Sequence, residues 1–267
     1  NRVQIINDRG IAICKSMLAW KRYSGGQTPG QAGIKSDHFV GDWYVRFEKE
    51  FAVEYKSWQN TLDARELFDR RRDAEQAEEE FFKGYKNQYF NTASTLGRDA
   101  RELLLKWEAH DPETIALWKQ MNGWVYEGFE ATYQRLGVSF DKLYYESDTY
   151  LLGKDLIEDG LQRGVFYKKD DGSVWVDLTD VGLDHKLLLR SDGTSVYMTQ
   201  DLGTAHKRYE EFGAERMVYV VADEQNYHFQ ALFAIMEKLG ASYAKGLYHL
   251  TYGMVDLPEG KMKSREG

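Results

Sequence analysis

The sequence predicts an α/β protein with a doubly wound parallel sheet, accompanied by a long helical block and a β-rich segment. Three observations predict it. In the last third of the chain, short apolar runs alternate with amphipathic stretches in the order β-α-β-α-β, the pattern of a parallel sheet with right-handed crossovers. A 3.6-residue hydrophobic period fills most of positions 37 to about 135. Polar clusters recur just after the apolar runs, where ligands bind in such sheets.

Each element has its own warrant. Val3-Gln4-Ile5-Ile6 reads as a short buried strand that ends in the turn residues Asn7-Asp8-Arg9-Gly10. A helix carrying Ile11, Cys14 and Leu18 on one face follows to about Tyr23, and residues 24–36 read as a loop. The helical block from 37 to about 135 is interrupted only at Pro112, where Asp111-Pro112-Glu113 supplies a cap and a first-turn proline. Within it, residues 61–82 hold eight acids against Arg65, Arg70, Arg71 and Arg72, which makes a solvated face and not a phosphate-binding stripe. Phe81, Phe82, Tyr85 and Tyr89 recur at helical spacing and are expected to pack against neighbouring helices.

From Phe140 the chain turns to strands. Segments 165–167 and 174–177 flank Asp170-Asp171-Gly172, a hairpin signal. Further strands are expected at 186–190, 196–199, 217–221 and 247–255, with helices over 202–212 and 227–239.

At 267 residues and 42% hydrophobic, the chain has enough apolar material for one or two domains. A single cysteine, Cys14, excludes an internal disulfide, and six scattered histidines form no metal-ligand cluster. The expected compartment is the reducing cytoplasm. No run approaches the ~18 apolar residues of a membrane span. A net charge of −8 argues against nonspecific coating of nucleic acid, although a local basic face suffices for RNA. The chain does not start with methionine, so a trimmed terminus is expected.

Four polar clusters follow apolar strands: Asn7 to Gly10, Tyr197 to Gly203, Asp223 to His228, and Lys261-Met262-Lys263-Ser264. Any one of them alone reads more readily as a turn or a helix cap, but four at one sheet edge reverse that reading and make a polar crevice suited to a nucleotide and a small charged molecule. A loop with two lysines and a serine beside Gly260 can gather phosphate oxygens and stabilise charge as a phosphoanhydride breaks.

That terminal loop resembles the KMSKS signature of class I aminoacyl-tRNA synthetases. Six segments together resemble the arginyl-tRNA synthetase family. They are Ile5 to Gly10, Tyr144-Tyr145-Glu146-Ser147, Leu189 to Ser195, Tyr197-Met198-Thr199-Gln200-Asp201, Gln225 to Gln230 and the loop, and they occur in the family's order across nearly the whole chain. The resemblance implies a Rossmann-like catalytic core at 1–35, 111–147 and 195–267. A helical insertion at 36–110 and a β-rich insertion at 148–194 interrupt it.

The implied activity joins L-arginine to arginine tRNA through an arginyl-adenylate. ATP with Mg is the co-substrate, no resident metal is implied, and the parent enzyme is expected to be monomeric, cytoplasmic and free of membranes. By the same resemblance, Glu146 and Asp201 match the acids that hold the guanidinium, Tyr197 the aromatic beside the substrate, and Gln225 the amide at its backbone end. His228, Gly253, Met254, Val255 and Met262 are implied to contact ATP, with Lys261, Lys263 and Ser264 catalytic; Asn7 and Asp8 have a supporting role. Paired carboxylates suit a guanidinium because they accept bidentate, charge-assisted bonds.

Some readings stay open at this point. Asp201 also reads as a cap for a helix starting at Leu202, Tyr197 as ordinary core and Glu146 as a surface acid. In the terminal loop Lys263 stands where serine is usual and Ser264 where the second lysine is usual, so either Lys261 or Lys263 can meet phosphate. Neither a HIGH-type motif nor an anticodon-binding domain occurs in these residues, so the chain by itself is expected to be inactive. The rival readings are a non-catalytic binding module on the same fold and the cysteinyl enzyme, which needs a zinc site.

Overall fold

A computed structural model describes residues 1–254, 256 and 258. The chain divides into two compact units, Asn1–Leu143 and a second that begins at Tyr144.

The first unit is almost entirely helical. Strand β1 (Val3–Ile6) pairs with β2 (Lys142–Tyr145), and between them run α1 (Ile11–Tyr23), α2 (Pro29–Ala32), α3 (Ser36–Gln59), α4 (Leu62–Arg71), α5 (Glu78–Thr92), α6 (Thr95–Glu108) and α7 (Pro112–Leu136). The continuous helical block is therefore broken in four places. Three of the new starts carry a capping oxygen: Thr61 accepts from the Ala64 amide, Ser94 from Gly97 and Asp111 from Thr114. Glu54 of α3 adds a second fastening at α6, accepting the Thr95 and Leu96 amides at 2.7 and 3.1 Å. The core is aromatic: Phe47, Phe51, Tyr55, Phe82, Tyr89 and Phe90 are buried, and the Tyr55 hydroxyl donates to the Phe82 carbonyl at 2.6 Å.

The second unit holds α8 (Glu146–Thr149), α9 (Lys154–Gln162), β3 (Phe166–Lys168), β4 (Val174–Val176), β5 (Lys186–Leu189), α10 (Tyr197–Phe212), β6 (Met217–Ala222), α11 (Asn226–Lys238) and β7 (Leu247–Tyr252). β3, β4 and β5 form an antiparallel sheet with Tyr167 opposite Trp175. Its first turn contains Asp170-Asp171-Gly172, where Asp171 accepts from the Ser173 amide. β6 and β7 pair in parallel, from Met217 opposite Leu247 to Ala222 opposite Tyr252, and α11 is the crossover.

The expected strand at 196–199 is not a strand. Val196 is the extended residue before α10, and the helix begins at Tyr197. Met198, Leu202 and Ala205 recur at helical spacing and are buried, and the Thr199 hydroxyl donates to the Leu188 carbonyl, fixing the first turn against β5. The expected β-α-β-α-β series thus reduces, among the described residues, to β6-α11-β7.

One core serves this unit, with Ile157, Val176, Leu188, Leu202, Leu232 and Ile235 at its centre. The β6–β7 pair packs only one face on it. Val218, Val220, Tyr248, Leu250 and Tyr252 alternate with the packed residues and are 48–63% exposed. No described helix is long and apolar enough to cross a membrane.

Candidate active site

Helix periodicity builds the site on α10. With Met198, Leu202 and Ala205 turned into the core, Tyr197 and Asp201 fall together on another face, one turn apart. Tyr197 is 71% exposed, so it is not ordinary core. Asp201 lies four residues inside the helix, so it does not cap it; the helix has no side-chain cap.

Two glycines hold α10 close to the start of α9. A Cβ at Gly153 would lie 2.1 Å from the Thr199 carbonyl oxygen, and one at Gly203 would lie 2.3 Å from the Gly153 nitrogen. Gly153 also sits at φ +90°, where a side chain is strained. This close approach fixes the turn that presents Tyr197 and Asp201.

The second wall comes from the carboxyl end of β6. After Ala222 a 3₁₀ turn, Asp223–Gln225, leads into α11, with Gln225 exposed at its N-cap and His228 in its first turn. Phe229, Leu232 and Ile235 anchor the helix in the core, which leaves His228 at the rim. Its Nε2 lies 2.7 Å from Asp201 Oδ2, a contact that joins two residues 27 positions apart across a strand. The side chains remain 25% and 40% exposed, so a ligand can reach them.

Because β6 and β7 are parallel and Ala222 faces Tyr252, Gly253 and Met254 leave β7 at the edge where Gln225 and His228 follow β6. Met254 is exposed. Glu146 opens α8, which packs against α10, and is half-buried. Val255, Lys261, Met262, Lys263 and Ser264 lie outside the described residues.

Asn7 and Asp8 belong to the first unit. Asn7 is exposed, whereas Asp8 is buried and bonded to α7. Its carbonyl accepts from Trp118 at 2.6 Å and Asn122 at 2.9 Å, and its carboxylate accepts from the Tyr126 hydroxyl at 2.9 Å. These contacts fasten the end of β1 to α7.

The sequence reading passed over several side chains near the Asp201–His228 pair. Burial raises the Tyr219 phenol above its usual range; Arg208 opposes the shift, and the Asp201 charge adds to it. Tyr227 of α11 donates to Asp184 at 2.9 Å, and the Lys186 ammonium lies 4.0 Å from the Tyr227 ring centroid. The His249 ring nitrogen lies 2.9 Å from the Val221 carbonyl oxygen and ties β7 to β6. Only the Asn226-Tyr227-His228 run gave a signal for any of these in the sequence. Among the described residues no group of three or more His, Cys, Asp or Glu side chains is placed to hold a metal.

A parallel β-α-β unit with a contacting acid and histidine at the carboxyl edge of its first strand is a Rossmann-like arrangement. The family described as class I tRNA synthetases (R), catalytic domain, matches residues 30–267. The chain belongs to that family, the arginyl branch of class I. It is 56% identical to an arginine–tRNA ligase of Bacteroides thetaiotaomicron and 53% identical to one of Amoebophilus asiaticus, in each case over 100% of this chain and 41% of the relative. The chain therefore spans about 41% of the length of these curated relatives. Among solved structures, arginyl-tRNA synthetase from Plasmodium falciparum matches with a TM-score of 0.57 at 15% identity, covering 95% of this chain and 36% of that one. A likeness at that identity concerns the fold.

Proposed function

We propose that the protein carrying this chain attaches L-arginine to its tRNA in two steps. The arginine carboxylate attacks the α-phosphorus of MgATP and pyrophosphate leaves; the ribose hydroxyl at the tRNA end then takes the arginyl group and AMP leaves. The observation that carries this reading is the Asp201–His228 contact at the carboxyl edge of β6. It gathers, on one rim, an acid fit for a guanidinium and a histidine at a helix N-terminus fit for phosphate.

In this proposal Asp201 and Glu146 accept the guanidinium, Tyr197 packs on its flat face and Gln225 holds the backbone end. With Oδ2 occupied by His228, Asp201 offers Oδ1 to the substrate. His228, Gly253, Met254, Val255 and Met262 line the nucleotide, and Lys261 and Lys263, with Ser264, stabilise the leaving pyrophosphate. MgATP enters as a substrate. The helical stretch 36–110 and the β-rich stretch 148–194 are insertions into the Rossmann-like core.

The test uses the full-length protein. Glu146→Gln and Tyr197→Ala should each raise KM for arginine by about ten-fold or more while KM for ATP moves little. Purified full-length protein that binds arginine and ATP but never charges tRNA would instead be a binding module on this fold.

A further inference from the structure

The first unit contains an open cavity of about 650 Å³ lined by residues of α1, α3, α5 and α6. That size falls within the roughly 300–1,000 Å³ of small-ligand sites. Its lining includes Lys15, Lys83, Lys86 and Arg101 against one acid, Glu48. Lys15 and Glu48 are both largely buried and pair at 2.8 Å, which cancels their charges and leaves three cations. The cavity is therefore a basic concavity on a chain of net charge −8, which singles it out as a place where an anion is drawn in.

Its walls add shape to the charge. Phe51 and Phe90 lie behind the cations, with the Lys86 ammonium 5.3 Å from the Phe51 ring centroid and the Arg101 guanidinium 5.8 Å from that of Phe90. Arg101 also donates to the Phe90 carbonyl, which fixes its fork. Along α5, Lys83, Asn87 and Asn91 stand four residues apart on one stripe of the lining. Ammonium groups and a guanidinium suit phosphate oxygens; carboxamides, which donate and accept, suit the hydroxyls of a sugar or the edge of a base. A cavity for a bare inorganic anion would need neither the carboxamide stripe nor this volume.

We propose that this cavity binds a phosphate-bearing ligand of nucleotide size, with Lys83, Lys86 and Arg101 on the phosphate and Asn87 and Asn91 on the sugar or base. The ligand is a free nucleotide or one nucleotide unit of an RNA strand. The site is separate from the residues assigned to arginine and ATP, and its test does not depend on aminoacylation.

The test titrates full-length protein with the four nucleoside 5′-monophosphates, inorganic phosphate and single-stranded RNA tetramers. Each titration compares wild type with Lys83→Glu/Lys86→Glu, and with Lys49→Glu/Lys56→Glu, which makes the same charge change on exposed positions of α3 outside the lining. The pocket variant should weaken one class of binding by about ten-fold or more, the loss of charge-assisted contacts, and the control should change it by less than about two-fold. Asn87→Asp, which keeps the shape of the stripe, should weaken the same binding, and thermal melts check that every variant is folded. Tetramers that bind about ten-fold tighter than monophosphates assign the ligand to an RNA strand; equal affinity assigns it to a free nucleotide. Equal losses in the pocket and control variants overturn the proposal, as does inorganic phosphate binding as tightly as the nucleotides, or no saturable binding lost in the pocket variant.

Discussion

Replacing Asp201 by asparagine removes a charge while keeping shape and one acceptor oxygen. In the folded protein the loss is small. The 2.7 Å contact with His228 survives as a neutral hydrogen bond, and both side chains are partly in solvent, which screens the charge lost. The stability cost should be about 0.5–1 kcal/mol. Helix propensity adds almost nothing, because Asn and Asp rank together inside a helix. In the proposed arginine complex the balance differs, because at position 201 the guanidinium would exchange an anionic acceptor for a neutral one, with Glu146 as its other acid. A broken charge-assisted pair costs about 2–4 kcal/mol, which is about 30- to 1,000-fold in kcat/KM for arginine. The assay is aminoacylation by full-length protein with arginine and ATP varied separately, beside a urea melt. A kcat/KM for arginine within about three-fold of wild type would refute the reasoning, because it would mean Asp201 serves only to hold His228.

Four further outcomes are expected. Gly153→Ala forces a Cβ to within 2.1 Å of the Thr199 carbonyl oxygen from a backbone at φ +90°, so it should cost about 2 kcal/mol or more of unfolding free energy, read by urea denaturation. Cys14 is held by burial at a pKa of about 12 against an ordinary 9.0, so at pH 8.5 native protein should alkylate far more slowly than urea-unfolded protein. The same raised pKa means that its contribution to stability is complete below pH 9.0 and is lost as pH rises toward about 12, which equilibrium melts of wild type against Cys14→Ala would detect. If the proposed activity holds, Lys261→Ala in the full-length protein should slow adenylate formation far more than it weakens ATP binding, and Lys263→Ala should do less; the reverse order, read in single-turnover kinetics, would shift the loop alignment by two residues.

The parts of this fold written in local chemistry were legible. The helix Ile11–Tyr23, the turn at Asp170-Asp171-Gly172 and the start of α7 at Pro112 each follow from a few adjacent residues. Thr61 and Ser94 were equally good cap signals, yet the hydrophobic period runs through them and hid the breaks in the helical block. At 196–199 a β-branched and aromatic run looked like a strand. The spacing of Met198, Leu202 and Ala205 against the core decided for helix. The candidate site was legible as residue types but not as geometry. Nothing local to Asp201 indicates His228, because the contact depends on how α10 and α11 pack around β6. The basic cavity was invisible for the same reason: its cations come from three helices, and the only charge run apparent in that region is acidic.

The uncovered face of β6 and β7 has a practical consequence at the bench. Val218, Val220, Tyr248, Leu250 and Tyr252 make one contiguous greasy strip on two neighbouring strands, backed by a rigid core. Whoever purifies these 267 residues alone should meet it as a handling problem: fluorescence enhancement of hydrophobic dyes in the native state, elution on size exclusion that drifts with concentration, and loss to surfaces. The side chains point away from the folded interior, so Val218→Lys and Leu250→Glu, which place opposite charges on adjacent strands, should improve recovery with little change in melting temperature.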